Sequence, residues 1–233
     1  MTLQNTAGPA AILCGATWLI GMAVLILLLA PMGYGTHDVD PNAILTFNAT
    51  RPGILTAFNT VIYIVNAAAL ASLVVMLPHG RHDAPAAITR AFGLIWATLI
   101  LAAGMVANVG LERAAHILPA DPDRAADLWL TLHTVEQGLG GGNEIAGGLW
   151  ITCASLTTPG LPRALTALGL VTGLAGLATI VAPTGETTGT IFGLGGIAWF
   201  LTLGAALTRS GSPAQRKTAT VSGGRRSSAK PGS

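Results

Sequence analysis

The chain has 233 residues, of which 51% are hydrophobic and only 9% are charged, and its formal net charge is +2. Ordinary soluble domains contain about 25% charged residues, so this composition and a mean hydropathy of +0.61 exclude that class of protein. Most basic residues flank apolar segments or lie in the C-terminal tail, and we therefore expect no nucleic-acid partner. The composition predicts a polytopic membrane protein.

Six apolar segments are long enough to cross a bilayer, which takes about 20 residues in a helix. They cover residues 10–32, 53–78, 91–111, 128–157, 164–183 and 190–208. The sequence thus predicts an all-α bundle of six transmembrane helices within residues 1–208. Lysine and arginine concentrate in the loops and tail on one side, so the positive-inside rule predicts that both termini are cytoplasmic.

Polar side chains begin in the first outer loop, residues 33–52, and continue into the second segment. We expect Tyr34 at the membrane interface, where amphipathic aromatic rings collect. Asn59, Tyr63 and Asn66 follow at positions i, i+4 and i+7 and therefore share one helix face. Polar groups in hydrocarbon need partners, so this face predicts either hydrogen bonds between helices or a site in which the three residues orient a substrate.

A second polar stripe ends the third segment, where Asn108, Glu112 and His116 are spaced i, i+4 and i+8. Antiparallel helices joined by a short loop pack together, so we expect Glu112 and His116 to meet His133 and Glu136 of the fourth segment. This group would form bundle-fixing pairs or an acid/base site. A metal site is a third interpretation, although Glu-x-x-x-His fits it less well than Glu-x-x-His. No other cofactor is expected.

The fourth segment is apolar enough to cross a bilayer, yet it contains two acids, Glu136 and Glu144. At about 100° per residue, both share one side of a helix with His133 and Asn143. Between the acids lies the run GLGGG, residues 138–142, whose low helix propensity predicts close backbone contact or local unwinding. A break at membrane depth is tolerated only within protein or beside a cavity. We therefore predict a polar cavity, centred on Glu136 and Glu144, that opens to the outer leaflet.

The end of the chain offers packing and charge rather than chemistry. Gly169, Gly173 and Gly176 form a small-residue face that predicts close contact with a neighbouring helix. Residues 209–233 contain basic residues but no acid and cannot bury a core. We therefore predict a second region, a disordered cytoplasmic tail that binds anionic lipid headgroups.

The turn Leu161-Pro162-Arg163 is followed by Leu168-Gly169 and a glycine-rich helix. Together with six spans, a long first outer loop and a polar fourth helix, this pattern resembles a broad family of small six-span bacterial membrane proteins of unknown function. The resemblance covers about residues 10–208. It implies a multi-pass protein of the bacterial plasma membrane, and it implies no activity.

Three functional hypotheses fit these residues. The first is a membrane-embedded enzyme acting on a lipid-like or isoprenoid substrate, with Glu136 or Glu144 as general acid or base. A histidine, His133 or His116, would be the partner, and the amides and the phenol named above would orient the substrate. The second is a proton-coupled small-molecule transporter in which the two acids take turns binding a proton. The third is a scaffold or sensor without enzymatic activity, whose basic tail binds lipid or a partner.

Overall fold

The apolar segments of the sequence all form helices in the computed structural model, which describes residues 6–36, 38–77, 82–141, 144–181 and 184–210. Within these ranges all regular structure is helical, and the predicted all-α fold is confirmed for them. The helices are α1 Ala7–Met32, α2 Pro41–Thr50, α3 Ile54–Met76, α4 Ala84–Ile117, α5 Pro122–Glu136, α6 Ile145–Thr157, α7 Arg163–Ala178 and α8 Gly185–Ser210.

Four helices in the described part of the chain are long and apolar enough to cross a membrane: α1, α3, α4 and residues Gly185–Arg209 of α8. These four indicate a membrane protein. The fourth predicted segment differs from the expectation of one long helix, because α5 ends at Glu136 and α6 begins at Ile145. Helix α7 has 16 residues, slightly fewer than the roughly 20 that span a bilayer. Membrane crossing by these two segments and the cytoplasmic location of both termini stay predictions.

The long helices close into a ring. Helix α1 packs against α3 and α8, α3 packs against α4, and α4 packs against both α5 and α6. Helix α6 then packs against α7, and α7 packs against α8, which completes the circuit. The α5–α6 pair therefore occupies the place in the ring that a single fourth span would take.

Two hydrophobic clusters fill the ring. One has at its centre six aromatic rings in mutual contact, those of Trp18, Trp96, Trp150, Trp199, Phe192 and Phe200. The other lies at the opposite end, where α2 folds across α4 and α5 and buries Ile44 and Leu45 completely. Helix α2 falls in the outer loop of the sequence analysis, where we expected no regular structure. Asp40 caps it by accepting hydrogen bonds from the backbone N–H groups of Asn42 and Ala43.

The predicted glycine face of α7 is confirmed as a packing surface. Gly148 of α6 faces Gly173 so closely that a methyl group on Gly148 would lie 2.6 Å from the Gly173 carbonyl oxygen. The same methyl group would lie 2.7 Å from the backbone nitrogen of Leu177. Backbone atoms form this contact on both helices, so the two helices must separate to admit even one carbon.

Replacing Gly148 with alanine should therefore destabilise the protein. We expect a loss of about 1–3 kcal/mol from overpacking, which exceeds the roughly 0.5–1 kcal/mol that alanine gains over glycine in a helix. Unfolding of the detergent-purified variants, followed by circular dichroism, measures the change.

Gly138→Ala is the matched control, because no described residue outside its own helical turn has an atom within 4 Å of the position its methyl group would take. Its unfolding temperature should stay close to that of the parent protein. If Gly148→Ala and Gly138→Ala lowered the unfolding temperature equally, the result would contradict close packing of α6 on α7.

Candidate functional site

The glycine run of the fourth segment breaks the helix, as the interpretation of local unwinding predicts. Gly140 has a φ of +131°, a value that residues with a Cβ rarely adopt. Helical backbone resumes at Ile145, and the backbone N–H of Glu144 donates a hydrogen bond to Thr179 Oγ1 at 3.1 Å. The break therefore places Glu136 at the end of one helix and Glu144 at the start of another.

Glu136 is 2% exposed, and its carboxylate lies between two phenols and an imidazole. Tyr63 donates its hydroxyl hydrogen to Oε1 at 2.5 Å, and the Tyr34 hydroxyl donates to the same oxygen at 3.5 Å. The other oxygen, Oε2, lies 2.9 Å from Nδ1 of His133. Helices α3 and α5 and the loop after α1 therefore meet at one carboxylate.

The imidazole of His133 is held by aromatic rings. Its ring stacks on Trp129, with a centroid distance of 4.7 Å and an interplanar angle of 13°, and its centroid lies 5.0 Å from that of Tyr34. His133 and Trp129 are four residues apart on α5 and so share a face. Stacking and the hydrogen bond to Glu136 together fix the orientation of this imidazole.

The structure corrects the expected interfacial position of Tyr34, which is only 9% exposed. Gly33 and Gly35 have φ values of +70° and +82°, and a Cβ at Gly33 would collide with the Asp38 carbonyl oxygen. This tight turn directs the Tyr34 ring into the bundle. Burial, reinforced by the Glu136 carboxylate, raises the pKa of Tyr34 well above its ordinary value, so the phenol remains a proton donor to Glu136.

Tyr63 lies where α3 widens into a π-helical turn, Thr60–Val65. Such turns redirect side chains and are frequent at functional sites. Opposite it, Gly104 of α4 leaves room for the tyrosine, since a Cβ on that glycine would lie 2.5 Å from Tyr63 Cβ. The π turn and the facing glycine together bring the Tyr63 hydroxyl to Glu136.

A central cavity of about 190 Å³ lies among α1, α3, α4, α8 and the segment between α5 and α6. Its wall is largely apolar and includes four aromatic side chains besides the tyrosines: Trp18, Phe58, Trp96 and Phe192. The described residues of the wall also include five polar ones: Tyr34, Tyr63, Asn66, Gln137 and Glu144. Because Gly35 is exposed and also lines the cavity, the cavity reaches the surface beside that residue.

A second cavity, of about 10 Å³, is bordered by Glu136, His133, Tyr34 and Asn59. This volume is close to the size of one water molecule, about 10–15 Å³ on the same measure. Asn59 is buried, and its Oδ1 has no hydrogen-bond partner among the described residues. The structure thus places Asn59 beside the carboxylate of Glu136 without direct contact.

Several sequence-predicted residues therefore come together. Glu136, His133 and Tyr63 are joined by hydrogen bonds, and Glu144 shares the central cavity with Tyr63 and Asn66. Asn66 also accepts a hydrogen bond from Thr17 Oγ1 at 3.1 Å, so it links α3 to α1 as well as lining the cavity. Asn143 lies outside the described residues.

Glu112 and His116 do not join this group. The prediction that they meet His133 and Glu136 is therefore wrong. Both are exposed, because the buried face of α4 is formed by Ala107, Leu111 and Ala114 instead. In the described ranges, no three His, Cys, Asp or Glu side chains lie close enough to hold a metal ion.

Asn108 also stays apart from the site. It is half-buried, and its Nδ2 donates a hydrogen bond to Thr60 Oγ1 at 3.2 Å, which joins α4 to α3. This contact favours the reading in which polar side chains hold neighbouring helices together.

Sequence reasoning missed three residues of the site: Tyr34, Trp129 and Gln137. The glycines on both sides of Tyr34 were a usable signal, because they permit a turn tight enough to bury a loop residue. Trp129 precedes His133 by one helical turn, and that spacing could have indicated stacking. No signal distinguished Gln137, whose place on the cavity wall depends on the break that follows it.

Comparison of the chain with protein-family models, with curated proteins and with solved structures found no match. The resemblance to a family of six-span membrane proteins therefore stays a prediction.

Replacing Tyr63 with phenylalanine should destabilise the protein by about 1–3 kcal/mol, because a buried carboxylate loses its shortest hydrogen bond. Tyr34→Phe should cost clearly less, since that hydroxyl lies at 3.5 Å rather than 2.5 Å from the same oxygen. Chemical denaturation of the two variants in detergent compares them directly.

The control is the same pair of changes in a Glu136→Gln background, where the charged acceptor is gone. There the two phenylalanine variants should differ little from each other. A difference that persists in that background would show that the hydrogen bond to Glu136 is not its cause.

Proposed function

We propose that the chain is an integral membrane protein that binds a small, largely apolar molecule in the central cavity and acts on it by acid/base chemistry through Glu144. A lipid-like or isoprenoid molecule is the substrate class that such a cavity suits. The observation that carries the proposal is the position of Glu144, whose carboxylate lies on an apolar wall without a hydrogen bond or ion pair to any described residue. An acid in such a place is available to a bound molecule.

The size of the cavity limits what can react there. A dry protein cavity of about 150 Å³ accommodates benzene, so about 190 Å³ corresponds to a group of roughly six to ten non-hydrogen atoms. A longer lipid would enter with one end only, and its remainder would extend past exposed Gly35. The reacting part of the substrate is therefore a small terminal group.

The two acids take different roles in this proposal. Glu136 has three hydrogen-bonding partners and keeps the bundle in shape, whereas Glu144 reacts. Tyr63 lines the cavity and also donates to Glu136, so it is placed to orient a substrate or pass a proton between the cavity and the buried pair. Asn66 and Gln137 supply further hydrogen bonds to a ligand.

For topology, we propose six crossings, with the α5–α6 pair serving as the fourth and both termini in the cytoplasm of a bacterium. The closed ring supports this, because consecutive segments are neighbours around it and alternate in direction if each crosses. The basic loops and tail support the orientation. The tail from residue 211 onward, proposed to bind anionic lipid headgroups, lies outside the described residues.

One observation favours the alternative of a proton-coupled transporter: the helix is discontinuous at Gly140, and an acid stands where the second half begins. Discontinuous helices are typical of transporter substrate sites. One observation weighs against a transporter. At one end of the cavity the wall is formed by Trp18, Trp96 and Phe192, and the aromatic cluster to which they belong fills the space between the helices beyond that end. A cavity accessible from one side suits an enzyme better than alternating access.

The proposed role of Glu144 predicts a large loss of activity in Glu144→Gln. The molecule that the purified protein retains is first identified by native mass spectrometry after lipid extraction. Turnover of that molecule should decrease about a hundredfold or more, the range that general acid/base catalysis contributes. The unfolding temperature should hardly change, because no described residue depends on this carboxylate for a hydrogen bond.

Glu112→Gln is the control, since this acid is exposed on α4 and should leave turnover intact. If Glu144→Gln turns over the molecule as fast as the parent protein, Glu144 is not the acid or base. A scaffold or sensor would retain no substrate and would tolerate both changes.

If the cavity opens to one side of the membrane only, a cysteine at position 137 should react with a reagent from that side alone. The experiment uses a background without Cys14 and Cys153. A membrane-impermeant maleimide should react with Gln137→Cys from the side that labels Thr36→Cys and not from the side that labels His82→Cys. Both reporters are exposed and lie near opposite ends of the ring. Labelling of Gln137→Cys from both sides would favour the transporter.

A further inference from the structure

We infer that the central cavity is a binding site for a small organic cation, an alkylated ammonium group held by the Glu144 carboxylate and by aromatic rings. The inference rests on the proposed function, because it names the chemical class of ligand for the same cavity.

The cavity wall contains an acid, Glu144, without a basic residue beside it among the described residues. Glu144 is the one acid in the described part of that wall, and none of the residues there is a lysine, arginine or histidine. No described residue forms a hydrogen bond or an ion pair with the Glu144 carboxylate, although Glu136 nearby has three partners. A carboxyl group away from water stays ionised only beside an opposite charge, and otherwise takes up a proton. A cationic ligand would supply that charge.

The aromatic side chains of the wall face several directions. The rings of Trp18 and Trp96 meet edge to face, with an interplanar angle of 89° and centroids 6.0 Å apart. Phe192 lies 5.4 Å from Trp18 and is tilted by 56° to it. Phe58 and Tyr34, also nearly perpendicular at 84°, line the same cavity. Rings set at such angles form a cage, and a cation near a ring face gains about 0.5–2 kcal/mol from each.

The number of hydrogen-bond acceptors on the wall and the volume of the cavity determine the type of cation. A bare ammonium or guanidinium would need several hydrogen-bond acceptors, whereas an alkylated ammonium needs only a counter-charge and apolar contact. A cavity of about 190 Å³ takes a trimethylammonium group with a short polar arm. The amide of Asn66 or Gln137 could then bond to that arm.

Two probes of the same shape test the inference: choline and 3,3-dimethylbutan-1-ol, in which carbon replaces the charged nitrogen. Isothermal titration calorimetry on the full-length protein in detergent measures both affinities. We expect choline to bind at least tenfold more tightly than its neutral isostere. Glu144→Gln should abolish that preference, and Glu112→Gln, a change on the exposed face of α4, should preserve it.

The outcomes separate this inference from the proposed function. If the two probes bind equally, or if the neutral probe binds more tightly, the cavity does not prefer a cation and the inference is wrong. The proposed function would then stand with a neutral substrate. Binding of neither probe, with a folded protein, overturns the cation site, whereas the proposed function stands or falls on turnover of the retained molecule by the parent protein and by Glu144→Gln. If Glu144→Gln does not fold, Glu144→Asp replaces it in the test, because aspartate keeps the charge. The Glu144→Asp variant should still prefer choline to the neutral probe. Loss of that preference in Glu144→Asp would also contradict the inference.

Discussion

The burial of the Glu136 carboxylate is the constraint on which the end of the bundle near Tyr34 and α2 depends. A charged group removed from water is stable only when other groups replace the lost hydration. The replacements come from three parts of the chain: Tyr34 after α1, Tyr63 in α3 and His133 in α5. Each of them is buried and needs an acceptor of its own. The carboxylate and its donors therefore fix the relative positions of these helices more specifically than apolar contact would.

Glu144 shows how a change of backbone gives the same residue type a different environment. In a continuous helix Glu144 would lie about 12 Å beyond Glu136, on the polar side of the helix that the sequence predicts. The non-helical conformation at Gly140 interrupts that helix, and α6 begins only at Ile145. Glu136 has three hydrogen-bonding partners, whereas Glu144 lines a largely apolar cavity. One glycine conformation thus separates the environments of the two acids.

The sequence predicted those features that repeat along a helix or depend on a local backbone preference. The spacing of Asn59, Tyr63 and Asn66 identified a buried face, and the glycine run identified the break. Spacing could not assign Glu112 and His116, because a polar stripe at the end of a helix looks the same whether it faces a cavity or solvent. Tyr34 required the turn at Gly33 and the docking of α2, both set by contacts distant in sequence.

Glycine and tryptophan, which the composition alone leaves unexplained, work together in the aromatic cluster. A methyl group at Gly147 would lie 2.6 Å from the ring of Trp96 and 2.8 Å from that of Phe192, and Gly196 leaves similar room for Trp18. Each large ring thus fits against a helix that has no side chain at that point. Because these rings also line the cavity, their glycine neighbours determine its volume. Changes at these glycines should therefore alter the volume of the cavity although none of them is part of the polar groups around Glu136.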